Sequence, residues 1–396
     1  MEDQLKETSL NERERFDAVM HYQPRDRSPI MDFGFWDETI PIWKQYGFPE
    51  GMSPDDFFGM DRQWDTFPIN TFLCPGFEWT VLEDRGDTLI VRDGDGVTKE
   101  QGKFLGSIPK HISHTLKDRE SWEKEVKWRL NPSPENRYPA NWRQLAEKLK
   151  DPKRDYPVAI PAGSLYGKIR DMMGVENLSV LVYDDPALFE EMVETVADCI
   201  IGAITPALQS GVKFEYASMW EDMCYRAGPL LSPKIFKKVL VPQYQRITSL
   251  LRQYGVDVVM LDCDGDISLL IPLWLEGGVN CMFPIEVGVW QADPVAMRAK
   301  YGRDLLMVGG VGKRLLAGPK EGIKSEVIRL APLVEEGGYI PLPDHRVPPD
   351  VSLDNYIYYL QQARKIWGKD LDNLRPMHEP NKAAPKYGKE YSMAID

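Results

Sequence analysis

Cysteine is scarce and shows no ligand spacing: Cys74, Cys199, Cys224, Cys263 and Cys281 are odd in number, scattered, and never arranged as CxxC. That excludes a disulfide framework or a zinc ribbon and fits reduced thiols in a cytoplasm. Long apolar runs are missing as well. No window approaches the roughly 20 apolar residues that cross a bilayer, and the charged stretch Met1–Arg15 has no apolar signal core. A cytoplasmic protein without a membrane partner is expected. Positive charge is in deficit, 48 Lys+Arg against 61 Asp+Glu for a net −13, so the mean field repels a phosphate backbone and nucleic acid is not an expected partner. Gly309-Gly310-Val311-Gly312-Lys313-Arg314 fails as a phosphate loop, because that spacing needs Gly at 307 and Ser or Thr at 314, where Met307 and Arg314 stand.

What is present is a rhythm. Apolar runs at Val158–Ile160, Phe214–Met219, Val256–Leu261, Val279–Phe283, Leu305–Val308 and Tyr339–Ile340 alternate with helical stretches. Strand then helix, repeated over short links, means parallel strands joined by crossovers. With two further strands from the N-terminal part, one of them Ser28–Trp36, the count reaches eight. The expected fold is α/β, a (β/α)₈ TIM barrel. An open doubly wound sheet is the alternative, but no Gly-rich dinucleotide turn follows an early strand. Turn signals at Gly86-Asp87 and Asp93-Gly94-Asp95-Gly96 predict a β-hairpin inserted at about 77–100, placed to act as a lid or rim. The expected organisation is a loose N-terminus over 1–9, a barrel over 10–367 and a C-terminal arm over 368–396.

In such a barrel the reactive groups belong to the loops that follow the strands. That filter selects Asp32 and Asp37, Tyr166, Glu221 and Asp222, Asp262, Asp264 and Asp266, Glu286, and Asp344-His345-Arg346. Carboxylates crowded at one mouth repel one another and raise their own pKa values unless a cation sits among them. Asp262 and Asp264, at alternate positions of an extended segment, project to one side, and Gly265 permits the turn beyond them. Asp266 reads equally as a helix cap. His345 alone among five histidines falls at a strand end, as a general acid/base or a ligand, or else as a loop imidazole bonded to a neighbouring carbonyl. Cys263, between two acids, is a poor nucleophile because an anionic neighbourhood raises a thiol pKa.

Trp220-Glu221-Asp222-Met223, Gly228-Pro229-Leu230-Leu231-Ser232-Pro233, Asp262-Cys263-Asp264-Gly265-Asp266 and Asp344-His345-Arg346-Val347-Pro348-Pro349-Asp350 together resemble the uroporphyrinogen decarboxylase superfamily, from about Leu10 to about Trp367. The likeness is to its methyltransferase-like branch, which includes O-demethylases that pass a methyl group to a corrinoid protein. It implies a (β/α)₈ barrel with the site at the strand C-terminal ends, and a homodimer. True decarboxylases follow the first strand with an Arg-rich segment suited to a polycarboxylate substrate. Here that stretch is Asp32-Phe33-Gly34-Phe35-Trp36-Asp37, which does not suit such a substrate.

The thiol methyltransferases of the branch hold zinc with His-x-Cys and a distant Cys. At the matching places stand Asp262, Asp264 and His345, a harder donor set for a divalent metal such as zinc, with Glu286 as a further ligand. The resemblance thus implies methyl transfer from a small O- or N-methylated molecule, a methoxy-aromatic being one candidate, to a corrinoid on a partner protein. His345, Asp264, Glu221 and Asp222 would be catalytic, and Asp32, Phe33, Phe35, Trp36, Tyr166 and Arg346 would bind substrate. The alternative is a decarboxylase or lyase acting on another small carboxylated molecule.

Overall fold

The computed structural model describes residues 9–103, 109–369 and 371–382; the N-terminus up to residue 8 and the arm beyond 382 lie outside them. The chain divides into two compact units, one drawn from residues 65–154 and 158–281, the other from 1–64, 155–157 and 282–396. Among the described residues no helix is long and apolar enough to cross a membrane.

The unit of residues 65–154 and 158–281 opens with an antiparallel sheet of four strands in sequence order, β1 (Thr80–Asp84), β2 (Thr88–Arg92), β3 (Val97–Gly102) and β4 (Lys110–His114). The turn signals were legible, but the insertion runs to His114 rather than 100. Its last strand, Lys-His-Ile-Ser-His, is almost wholly exposed and carries no apolar run. The β2–β3 turn is held by Asp93, whose Oδ1 accepts from Asp95 N and Val97 N, both at 3.0 Å.

After it comes a parallel ladder, β5 (Ala159–Pro161), β6 (Tyr216–Trp220) and β9 (Val259–Asp262), with a small hairpin, β7 (Cys224–Tyr225) and β8 (Gly228–Pro229), between the last two. The crossovers are long helices. Pro186–Gln209 starts on Asp185, whose side chain accepts from Leu188 N, has Pro at its first position, and buries twelve residues along one stripe. Pro233–Gln253 links β8 to β9 and buries Phe236, Leu240, Tyr244 and Leu251 at helical spacing.

The other unit carries β10 (Cys281–Ile285), which enters at the unit boundary, then β11 (Leu306–Val311) and β12 (Tyr339–Pro343), in that order. β11 and β12 pair in parallel from Met307↔Tyr339 to Val311↔Pro343. All six expected C-terminal strands are therefore present. Ser28–Trp36, expected as the first strand, is not one. Its backbone bonds go elsewhere: Ile30 N to the Asp61 carboxylate, Gly34 N to Asp32, and Ser28 N to Trp367 O. One parallel bridge, Phe35↔Val347, remains, and in the first unit Thr66↔Ala159 is its counterpart. The described part of the C-terminal arm folds back on its own unit, His378 N donating to Phe57 O and Asn381 N to Gly47 O, both at 2.8 Å.

Candidate active site

The register Trp220↔Asp262 brings the C-terminal ends of β6 and β9 side by side, and Glu221 N extends the ladder by donating to Asp262 O at 2.9 Å. One residue on, Asp222 takes a left-handed φ of 40°, uncommon without glycine and concentrated at functional sites. Arg170 donates to its carbonyl, and its Oδ1 accepts from Asp264 N at 3.1 Å. Across from it the chain leaves β9 through Gly265, whose φ is +87°. A Cβ there would stand 2.5 Å from the Cys224 carbonyl oxygen, so only glycine lets the two backbones approach.

These constraints gather one carboxylate oxygen from each of Asp222, Asp262 and Asp264 within 4.8 Å of one another. Burial, and then the neighbouring charge of Asp264, push the Asp222 carboxyl above the usual aspartate range; the Asp264 N–H and Arg170 oppose this. The buried Cys263 thiol is raised by desolvation and by the Cys224 thiol beside it, so it offers no thiolate. The donor set is all oxygen, which suits a hard divalent cation better than thiophilic chemistry.

Glu221 has a different task. Fully buried, it accepts from Leu165 N, Tyr166 N and Gly167 N at 2.8 Å each, from Ser164 Oγ at 3.1 Å and from Tyr244 Oη at 2.7 Å. Both oxygens are saturated, and the carboxylate ties the β5 exit loop to the start of helix Gly167–Met173. Expected among the reacting groups, it is placed as a positioning residue. Tyr166 is likewise interior, its ring edge-on to Phe189, and burial pushes its hydroxyl up to about 12. Arg170 was not foreseen; it follows Tyr166 by one helical turn, a spacing that could have flagged it.

The remaining expected residues belong to the unit of 1–64 and 282–396. Phe33 packs edge-on against Phe283 and His345, with centroids 4.6 and 5.3 Å apart, and the Arg346 guanidinium lies 5.9 Å from its ring. Trp64, also not foreseen, joins through Phe283 at 5.3 Å and donates from Nε1 to Asp32 O at 2.8 Å. The Asp32 carboxylate accepts from Gly34 N and Tyr356 Oη, and burial lifts it to about 6. Phe35 packs among Trp43, Phe58 and Tyr356. Trp36 is exposed. Glu286 is buried ahead of the turn Val287–Trp290, and Asp344 braces two loops by accepting from Gly288 N and Lys313 N. The set of acids brought together is thus Asp222, Asp262 and Asp264, all within one unit.

A family model described as uroporphyrinogen decarboxylase (URO-D) matches residues 143–366, more than half of the chain. The chain belongs to the uroporphyrinogen decarboxylase family. Uroporphyrinogen decarboxylases of Trichormus variabilis and of a Nostoc species are each 22% identical over 187 residues, 47% of this URO-D family chain and 50% of theirs. The chain thus spans about half the length of the curated relatives it matches. A methyltransferase from Methanosarcina mazei shares the fold, with a TM-score of 0.58 at 15% identity over 90% of this chain and 99% of its own. In this URO-D family member the fold is α/β, as the strand rhythm implied.

Proposed function

We propose that this URO-D family chain is a methyltransferase that takes a methyl group from a small O- or N-methylated molecule, a methoxy-aromatic among them, and delivers it to a corrinoid on a carrier protein. The observation that carries the reading is the meeting of Asp222, Asp262 and Asp264 at the ends of adjacent parallel strands, with Asp222 biased toward its protonated form. The fold shared with a methyltransferase supports the reaction class.

Breaking a methyl–oxygen bond leaves the electron pair on oxygen, and an alkoxide or phenoxide departs poorly unless that charge is met as it develops. Asp222, whose carboxyl lies above the usual aspartate range, is the group to supply a proton there. Asp264 raises the Asp222 proton affinity by its charge, and Arg170 and the Asp264 N–H fix the orientation of the residue. A corrinoid on a carrier protein would supply the cobalt nucleophile that accepts the methyl group. A divalent cation held by Asp222, Asp262 and Asp264 would supply Lewis-acid polarisation of the same oxygen. With the cation Asp222 is a ligand; without it Asp222 is the acid.

The test is methyl transfer from a panel of methoxylated aromatics and methylamines to free cob(I)alamin, followed by its visible spectrum, with metal content measured on the same protein. Wild type is expected to transfer, and Asp222→Asn to lose about 10²- to 10⁴-fold, the usual share of a general acid. No transfer from any donor, with CO₂ released from a carboxylated substrate instead, would establish the lyase reading.

A further inference from the structure

A cavity of about 540 Å³ lies between the four-stranded sheet and the helical segment Arg119–Val126, with none of Asp222, Asp262 and Asp264 in its lining, and its size is that of small-molecule pockets. Its floor is set by register. Arg92 pairs with Thr98, and Thr98 with Ser113, so one row across β2, β3 and β4 presents a guanidinium and two hydroxyls to the same face. All three line the cavity. Part of the wall is a π-helical turn, Trp122–Val126, a conformation that is rare and often found at functional sites.

The chemistry of the lining is uneven. Among the described residues the Arg92 side chain makes no hydrogen bond or ion pair, and its Nε is buried without a partner. Lys117 also lines the cavity. The acids are mostly committed: Asp118 accepts from Ser121 N as the cap of its helix, and Glu120 pairs with Lys124 at 2.6 Å. Glu125 lines the cavity too, and its charge bears on Arg129, which in turn feels Arg92 as a like charge. A guanidinium buried on one edge and left without an acceptor is costly, and such groups in native proteins are met by ordered water, an ion or a ligand.

We propose that this cavity binds a small molecule through an oxyanion, a carboxylate or a phosphate group, with Arg92 as its anchor and Thr98 and Ser113 as flanking donors. A guanidinium offers two parallel N–H groups to such an anion, which a lysine cannot do. The site is separate from Asp222, Asp262 and Asp264 and does not rest on the methyltransferase reading.

The test is calorimetric titration of the full chain at low ionic strength with inorganic phosphate and, separately, benzoate, for wild type, Arg92→Ala, Arg92→Lys and Thr98→Val. At least one probe is expected to saturate, and which one does separates a phosphate from a carboxylate ligand. Arg92→Ala is expected to weaken that binding about tenfold or more, and Arg92→Lys to restore it only in part. Since the Arg92 side chain bonds to nothing among the described residues, its removal should not lower the melting temperature. Thr98→Val, which keeps side-chain size, should weaken binding severalfold and serves if Arg92→Ala does not fold. Absence of saturation by either probe up to about 20 mM, an affinity too weak for a built site, overturns the proposal. So does binding that neither Arg92→Ala nor Thr98→Val changes.

Discussion

Replacing Glu221 by Gln tests the positioning role most directly, because the change keeps size and shape and removes only charge and acceptor capacity. The carboxylate receives three backbone N–H groups and two hydroxyls. An amide must turn its NH₂ toward one side. Facing the Oε2 side, it opposes the N–H groups of Tyr166 and Gly167. Facing the Oε1 side, it opposes Leu165 N–H alone, since the Tyr244 hydroxyl can rotate to accept. The cheaper orientation orphans one buried N–H, about 1–3 kcal/mol, and turns the remaining charge-assisted bonds into neutral ones at somewhat under 1 kcal/mol each. The sum is about 4 kcal/mol. For a cooperative unit of 150–250 residues that is a fall in Tm of roughly 8–16 °C. Thermal melting by circular dichroism reads it, and Glu221→Ala should fall at least as far. A Glu221→Gln shift under about 2 °C would refute the claim that this carboxylate pins the β5 exit loop, since it corresponds to less than one lost bond.

Asp32 is held near 6 in the native protein against 3.8 unfolded, so the native state binds its proton more tightly. Its contribution is complete below pH 4 and is lost as pH rises to about 6, by about 3 kcal/mol. Asp32→Asn should match wild type at pH 4 and exceed it at pH 8; parallel melting curves across that range would contradict this. For Asp222 the raised pKa means that methyl transfer falls as pH climbs past it, a limb that Asp222→Asn should lack in a pH–rate profile. Arg154 and Glu215 form a bidentate pair whose side chains are 2% and 0% exposed. Arg154→Met strands the Glu215 charge and should cost about 3–5 kcal/mol, while adding Glu215→Gln should be milder than Arg154→Met alone. Chemical denaturation measures both.

The strand positions were legible because β-branched and apolar runs at regular spacing leave few other readings, and all six C-terminal strands lie where those runs predicted. The Ser28–Trp36 run misled because its backbone donors are met by side chains such as Asp61 and Asp32, which no periodicity reveals. The acidic chemistry was legible as a set of strand-end carboxylates, but not how it sorts. Glu221 and Asp222 are adjacent in the chain, yet one is saturated by the N-terminal amides of a helix and the other turns through a left-handed φ to meet Asp264. Sequence shows an acid; only coordinates show how many donors already claim it. The packing of Phe35 with Trp43, Phe58 and, 321 positions later, Tyr356 was likewise not readable from periodicity.

The interrupted layout of the unit holding both chain ends has a consequence for biosynthesis. Trp43 Nε1 bonds to Val351 O, 308 positions later, and the ring of Tyr356 packs against both Trp43 and Phe58. At 5–20 residues per second, those early rings wait on the order of a quarter-minute to a minute on the ribosome before their partners emerge. Meanwhile the stretch 65–281 holds nearly everything its own unit requires. That waiting interval is when nascent chains would need a chaperone, and slowing translation past codon 281 should lengthen it.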